Sequence, residues 1–276
     1  METAPTTDLV KTPDPPEQES SASSWTVRGY LRDSRSLLNC IVLVLPLFVI
    51  YQLGVLTTGG VQNGVDFVTT TLLRDVFGGQ TLYYILFNVV VLAGLVGLVV
   101  VLRKKDKFHP RLYWAVILES TLYGVLLGFV VSTVLAKIGI APTATSAAPA
   151  MGPLDNFVLS LGAGLYEELV FRLILLGGSV WLGRLIWTRL KGGVAEEGGA
   201  EKKGLSLVEN VMLVGGAILI TSLLFSGIHY VGSLADTFTL HSFSFRFLAG
   251  VFFAGLYYAR GFAVAVYTHA IYDVIV

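Results

Sequence analysis

Seven stretches of this 276-residue sequence stay apolar for about the length of a bilayer crossing, and that single feature decides most of what the chain can fold into. A crossing needs about 20 mostly apolar residues. In lipid no water can take the backbone N–H and C=O groups, so a continuous run of that length satisfies them internally as a helix. The stretches are residues 37–56, 82–102, 112–136, 157–181, 208–231, 243–259 and a short seventh at 262–276. Only 14% of the residues are charged, against about 25% in soluble chains. The expected fold is therefore all-α, a polytopic transmembrane helical bundle of about seven spans, with its motif-bearing core in the last four.

The sequence divides into three regions. Residues 1–36 are read as a disordered N-terminal tail, rich in Pro, Ser, Thr and acids, followed by a basic flank; the tail lacks the basic-then-apolar order of a signal peptide. Residues 37–136 hold the N-terminal transmembrane helices. Residues 154–276 form the motif-bearing helical core, interrupted by a Gly/Glu/Lys-rich loop at 183–207. Between the first two spans, GVDFVTTTLLRDVF (64–77) has apolar residues at helical spacing opposite Asp66 and Arg74, the pattern of a helix lying on the membrane surface. The basic cluster RKKDKFHPR (103–111), the arginines before the first span and the 183–207 loop all fall on one side. The excess of Lys and Arg makes that side cytoplasmic, with the N-terminus inside. An integral protein of a prokaryotic cell membrane is expected.

Net charge is +0, so no global charge points to nucleic acid. The single cysteine, Cys40, allows neither a disulfide framework nor a cysteine-based metal site. Neither HExxH nor a Gly-rich phosphate loop is present.

Ionisable groups inside a membrane are costly and mark function. The fourth span carries Glu167, Glu168 and Arg172 in LYEELVFR. Residues four apart share a helix face while neighbours do not, so Glu168 pairs with Arg172 and Glu167 must find its partner elsewhere: another helix, water or a metal. The fifth span ends in FSGIH, with Phe225 and His229 on one face. The seventh contains HAIYD, placing His269 and Asp273 four apart. A polar staple between helices is the bland alternative for the acids. One carboxylate and two imidazoles can bind a divalent metal such as zinc and leave a position for water. They can equally activate water without one, Glu as base and His as donor to an oxyanion. His229 falls near the outer end of its span, so it must dip inward to join them. Glu119, near the inner end of the third span, is expected to reach the interface or a neighbour, and His109 and His241 to be solvated loop residues. Gly250 and Ala254 have the small-xxx-small spacing of close helix packing.

In this order on successive spans, EExxxR (Glu167, Glu168, Arg172), FxxxH (Phe225, His229) and HxxxD (His269, Asp273) resemble the CPBP family: the type II CAAX prenyl proteases and the bacteriocin-processing or self-immunity membrane proteins. The resemblance covers roughly residues 156–276. It implies an intramembrane endopeptidase acting on a membrane-associated protein or peptide beside or within the lipid bilayer. Its catalytic residues would be Glu167, Glu168, His229, His269 and Asp273, with Arg172 and Phe225 as structural support. Glu167, His229 and His269 are the candidate metal ligands. The prenyl proteases carry Asn where Asp273 stands. A carboxylate there repels an oxyanion unless protonated or metal-bound, so Asp273 is expected to orient His269 or ligate a metal. The competing readings are a non-enzymatic scaffold or self-immunity protein of the same family, and a small-solute transporter. Lack of an internal repeat disfavours the transporter.

Overall fold

A computed structural model describes residues 26–58, 63, 65–66, 78, 80–142, 151–192, 205–231 and 235–276. The expected tail at 1–24 and most of the surface helix at 64–77 lie outside them. Among the described residues the chain is all helical. Six helices are long and apolar enough to cross a membrane, and the chain is an integral membrane protein.

The basic flank is not featureless. Helix α1 (Val27–Asp33) begins at Thr26, whose hydroxyl accepts from the Gly29 N–H. It is tied down by Tyr30, which donates to Glu119 on α4. Burial and that carboxylate push the Tyr30 hydroxyl well above its usual range, so it stays a donor. Glu119 also takes Arg260 at 2.5 and 2.8 Å and Tyr123 at 2.9 Å. The acid expected to reach a neighbour thus joins α1, α4 and the end of α8.

Helix α2 (Leu37–Thr57) carries Pro46 in its interior, and α3 (Thr81–Leu102) packs on it. Only 6% of the apolar window of α3 is buried, so its Val and Leu side chains face outward as lipid-facing residues do. Helix α4 (Arg111–Lys137) follows. The fourth span is longer than its apolar run. Helix α5 (Pro153–Gly162), a π-helical segment (Ala163–Gly177) and α6 (Gly178–Gly192) are continuous. Residues 183–192, expected to open the loop, are therefore helical; Arg184 there reaches Asn210 of α7 at 2.8 Å. Helix α7 (Leu207–Ile228) opens with a capping box between Ser206 and Glu209, and α8 (Leu240–Arg260) follows.

The seventh expected span is α9 (Phe262–Ile275), 14 residues, or about 21 Å, shorter than the roughly 30 Å hydrocarbon core. Its buried run Ala263–Ala270 packs against α2, α4, α5, α8 and the π segment. α9 is enclosed within the bundle by these elements rather than lying beside them. Gly261 turns the chain from α8 into it at φ 92°, ψ 176°, a conformation essentially restricted to glycine.

Close approach places α9 against the motif segment. A Cβ on Gly164 would lie 2.6 Å from the Ala270 Cβ and 2.7 Å from the Ala270 nitrogen, so only glycine lets the π segment and α9 meet backbone to backbone. The small-residue contact of α8 is as expected. A Cβ on Gly250 would lie 3.0 Å from the Ser222 Cβ, and Ala254 is buried.

Candidate active site

The π segment turns both glutamates into the bundle: Glu167 is 5% and Glu168 0% exposed. π-helical turns are rare and recur at functional sites; this one spans the whole EExxxR motif. Glu168 and Arg172 pair at 3.1 Å, as i, i+4 spacing requires. Arg172 also donates to the Gly250 carbonyl at 3.4 Å, and its guanidinium lies 4.2 Å from the Phe225 ring centroid. Phe225 makes edge contacts with His229 and His269, so it packs among the polar groups as a structural support.

Glu167 points away from that pair. Its Oε2 lies 3.9 Å from His229 Nε2 and 3.9 Å from His269 Nε2, and it is buried with no hydrogen-bond partner among the described residues. Its Oε1 accepts from Asn63 Nδ2 at 2.9 Å. The position of His229 is explained by the end of α7. As the residue capping that helix it faces inward, its Nδ1 bound to the Phe225 carbonyl at 2.8 Å. His269 Nδ1 meets Glu168 Oε1 at 2.8 Å, its ring stacks on Phe253 at 4.4 Å, and its Nε2 lies 3.5 Å from Asp273 Oδ2.

These contacts assign the tautomers. A carbonyl only accepts, so Nδ1 of His229 carries its proton. The Glu168 carboxylate likewise takes the Nδ1 proton of His269. Both Nε2 atoms therefore present lone pairs to Glu167 Oε2 when the rings are neutral, a convergence that calls for a proton, a water or a cation between them. The donor set fits a divalent ion in kind, and Glu168 behind His269 is the usual support of a metal-bound imidazole. Tetrahedral zinc ligands stand about 3.3 Å apart; here the separations are 3.9 Å. Among the described residues no three such groups are already at coordination geometry.

Two cavities meet at this point. One, of ≈ 450 Å³, is lined by Glu167, His229, Arg246, Phe253, His269 and Asp273; the other, of ≈ 720 Å³, by Asn63, Asn156, Ser160, Glu167, His229 and Asp273. Residues 149–275 match the family described as Type II CAAX prenyl endopeptidase Rce1-like. This segment is Rce1-like. No curated protein and no solved structure matches the chain.

The Rce1-like segment supplies all seven residues read from the motifs, and the fold brings them together. It also contains His241, expected in a loop. That residue instead sits in the first turn of α8 and lines the smaller cavity. Arg246, beside it, reaches Asp236 at 2.5 Å and the Tyr230 hydroxyl at 3.0 Å. Asn63 lies outside the Rce1-like segment, in a polar connection without periodicity, and nothing in the sequence singled it out.

Proposed function

We propose that the chain is an intramembrane endopeptidase in which Glu167 activates the water that cleaves a peptide bond. The observation that carries this reading is the buried Glu167 Oε2, unbonded among the described residues, aimed at two imidazole Nε2 atoms and open to both cavities. Glu167 takes a proton from water as the oxygen attacks the scissile carbonyl carbon. The oxyanion that forms lies within reach of the histidines, and a protonated Nε2 donates to it. Glu167 then returns the proton to the leaving nitrogen as the C–N bond breaks, giving an amine and a carboxylic acid whose remaining proton, that of the attacking water, passes to the amine. Glu168 and Arg172 do not touch the reacting atoms; they fix the ring of His269.

A divalent ion, where bound, would be held by Glu167, His229 and His269 and would supply Lewis-acid polarisation of the carbonyl and of water. The substrate class that follows from the Rce1-like segment is a membrane-associated protein or peptide, with prenylated CAAX termini the first to assay. Asp273 is the departure from the prenyl proteases. It lines both cavities and stands 3.5 Å from His269 Nε2, where it orients the ring once that nitrogen carries a proton.

The test is cleavage of a panel of prenylated and unprenylated peptides by the purified protein in bilayer discs. We expect cleavage by the native chain and a loss of about 10²–10⁴-fold in His229→Ala and His269→Ala. Cleavage at the native rate by both variants would overturn the assignment.

A further inference from the structure

The front half of the chain, outside the Rce1-like segment, reaches the reacting carboxylate through one side chain. Asn63 Nδ2 donates to Glu167 Oε1 at 2.9 Å. The orientation of that amide is fixed, because its Oδ1 accepts from the Val65 N–H at 2.9 Å, leaving Nδ2 for Glu167. The residue itself is anchored to α2: its backbone N–H donates to the Tyr51 hydroxyl at 3.1 Å, and Tyr51 donates to Asp66 at 3.0 Å. Tyr51 is fully buried, and its ring stands 5.3 Å from that of Tyr166, the neighbour of Glu167. A second link runs beside it, from Gln52 to the Tyr166 hydroxyl at 2.6 Å.

A carboxylate has two oxygens and a freely turning terminal torsion. One oxygen must be pinned if the other is to face the water and both Nε2 atoms. We propose that Asn63 is the positioning residue of the Glu167 base: it occupies Oε1 and so commits Oε2 to the reaction, making Asn63 and the α2 side chain that anchors it part of the working site. This rests on the reading of Glu167 as the base. Asn63 also lines the larger cavity together with Asn156 and Ser160.

Asn63→Ser separates positioning from folding. A serine hydroxyl still accepts from the Val65 N–H and preserves the turn, but it is too short to reach Glu167. Asn63→Leu keeps the shape and removes both bonds. On a prenylated CAAX peptide we expect Asn63→Ser to be as abundant and as heat-stable as the native protein. Its kcat should fall about 10–100-fold, the usual cost of losing a group that orients a reacting one, with KM unchanged. A purely structural role leaves kcat intact in Asn63→Ser and lowers folded yield in Asn63→Leu. An infrared readout at fixed pH needs no substrate. The carboxylate band that vanishes in Glu167→Gln should move in both Asn63 variants. Native kcat in Asn63→Ser, or a band that stays in place, overturns the proposal. A Glu167→Gln variant that still cleaves instead overturns the reading on which it rests, and the band then decides whether Asn63 holds Glu167.

Discussion

Glu167 and Glu168 are adjacent in sequence and close in burial, and each keeps one oxygen without a hydrogen bond among the described residues, yet they face different partners. Glu168 is tied through Oε1 to Arg172 and His269, whereas Glu167 Oε2 faces both imidazole Nε2 atoms and the cavities. Their variants should therefore fail differently. Glu168→Gln leaves Arg172 buried without its charge partner, which costs about 3–5 kcal/mol where such pairs have been broken. A fall in folded yield and in melting temperature, measured in detergent, should accompany the loss of activity; a fully stable Glu168→Gln protein would contradict the pairing. This division was legible in the sequence, since i, i+4 spacing joins Glu168 to Arg172 and excludes Glu167. Asn63 was not. Its contact depends on a connection whose path no periodicity sets.

Among the elements, α9 and the π segment decide where the site lies. The sequence marked both as apolar stretches bearing acids or histidine. It did not show that the first is a buried helix too short to cross alone, because apolar composition reads the same against lipid and against protein. Nor did it show that α6 carries the fourth helix on to Gly192, since Gly, Trp and Arg there end the hydropathy signal but not the helix. The contact at Gly164 is the most demanding of these features. Gly164→Ala puts a methyl where Ala270 backbone already stands, and overpacking of that kind costs about 1–3 kcal/mol. We expect α9 to be displaced, the His269–Glu168 bond to lengthen, and proteolysis to fall more than melting temperature. Unchanged proteolysis in Gly164→Ala would show that the two elements have slack the geometry does not suggest.

At the scale of the molecule, the short α9 is enclosed by four of the six long apolar helices, and the cavities open from the polar point where α7, α9 and the π segment converge. From the distribution of Lys and Arg we propose that 103–111 and 183–207 are cytoplasmic. After replacement of Cys40, single cysteines placed in either segment should resist an impermeant thiol reagent in intact cells; external labelling near Lys203 would invert the topology. The fold class and the convergence of the acid with both histidines were legible because buried charge in a membrane has few explanations. The join between front and back halves was not, since it runs through tyrosines and amides that read as ordinary interfacial residues. The central claim is that Glu167 is the base. Glu167→Gln keeps the size of the side chain and its bond to Asn63 but cannot take the proton. Measured in a single turnover on a peptide the native protein cleaves, it should lose about 10²–10⁴-fold in rate with folding and insertion intact; cleavage at the native rate would contradict the account.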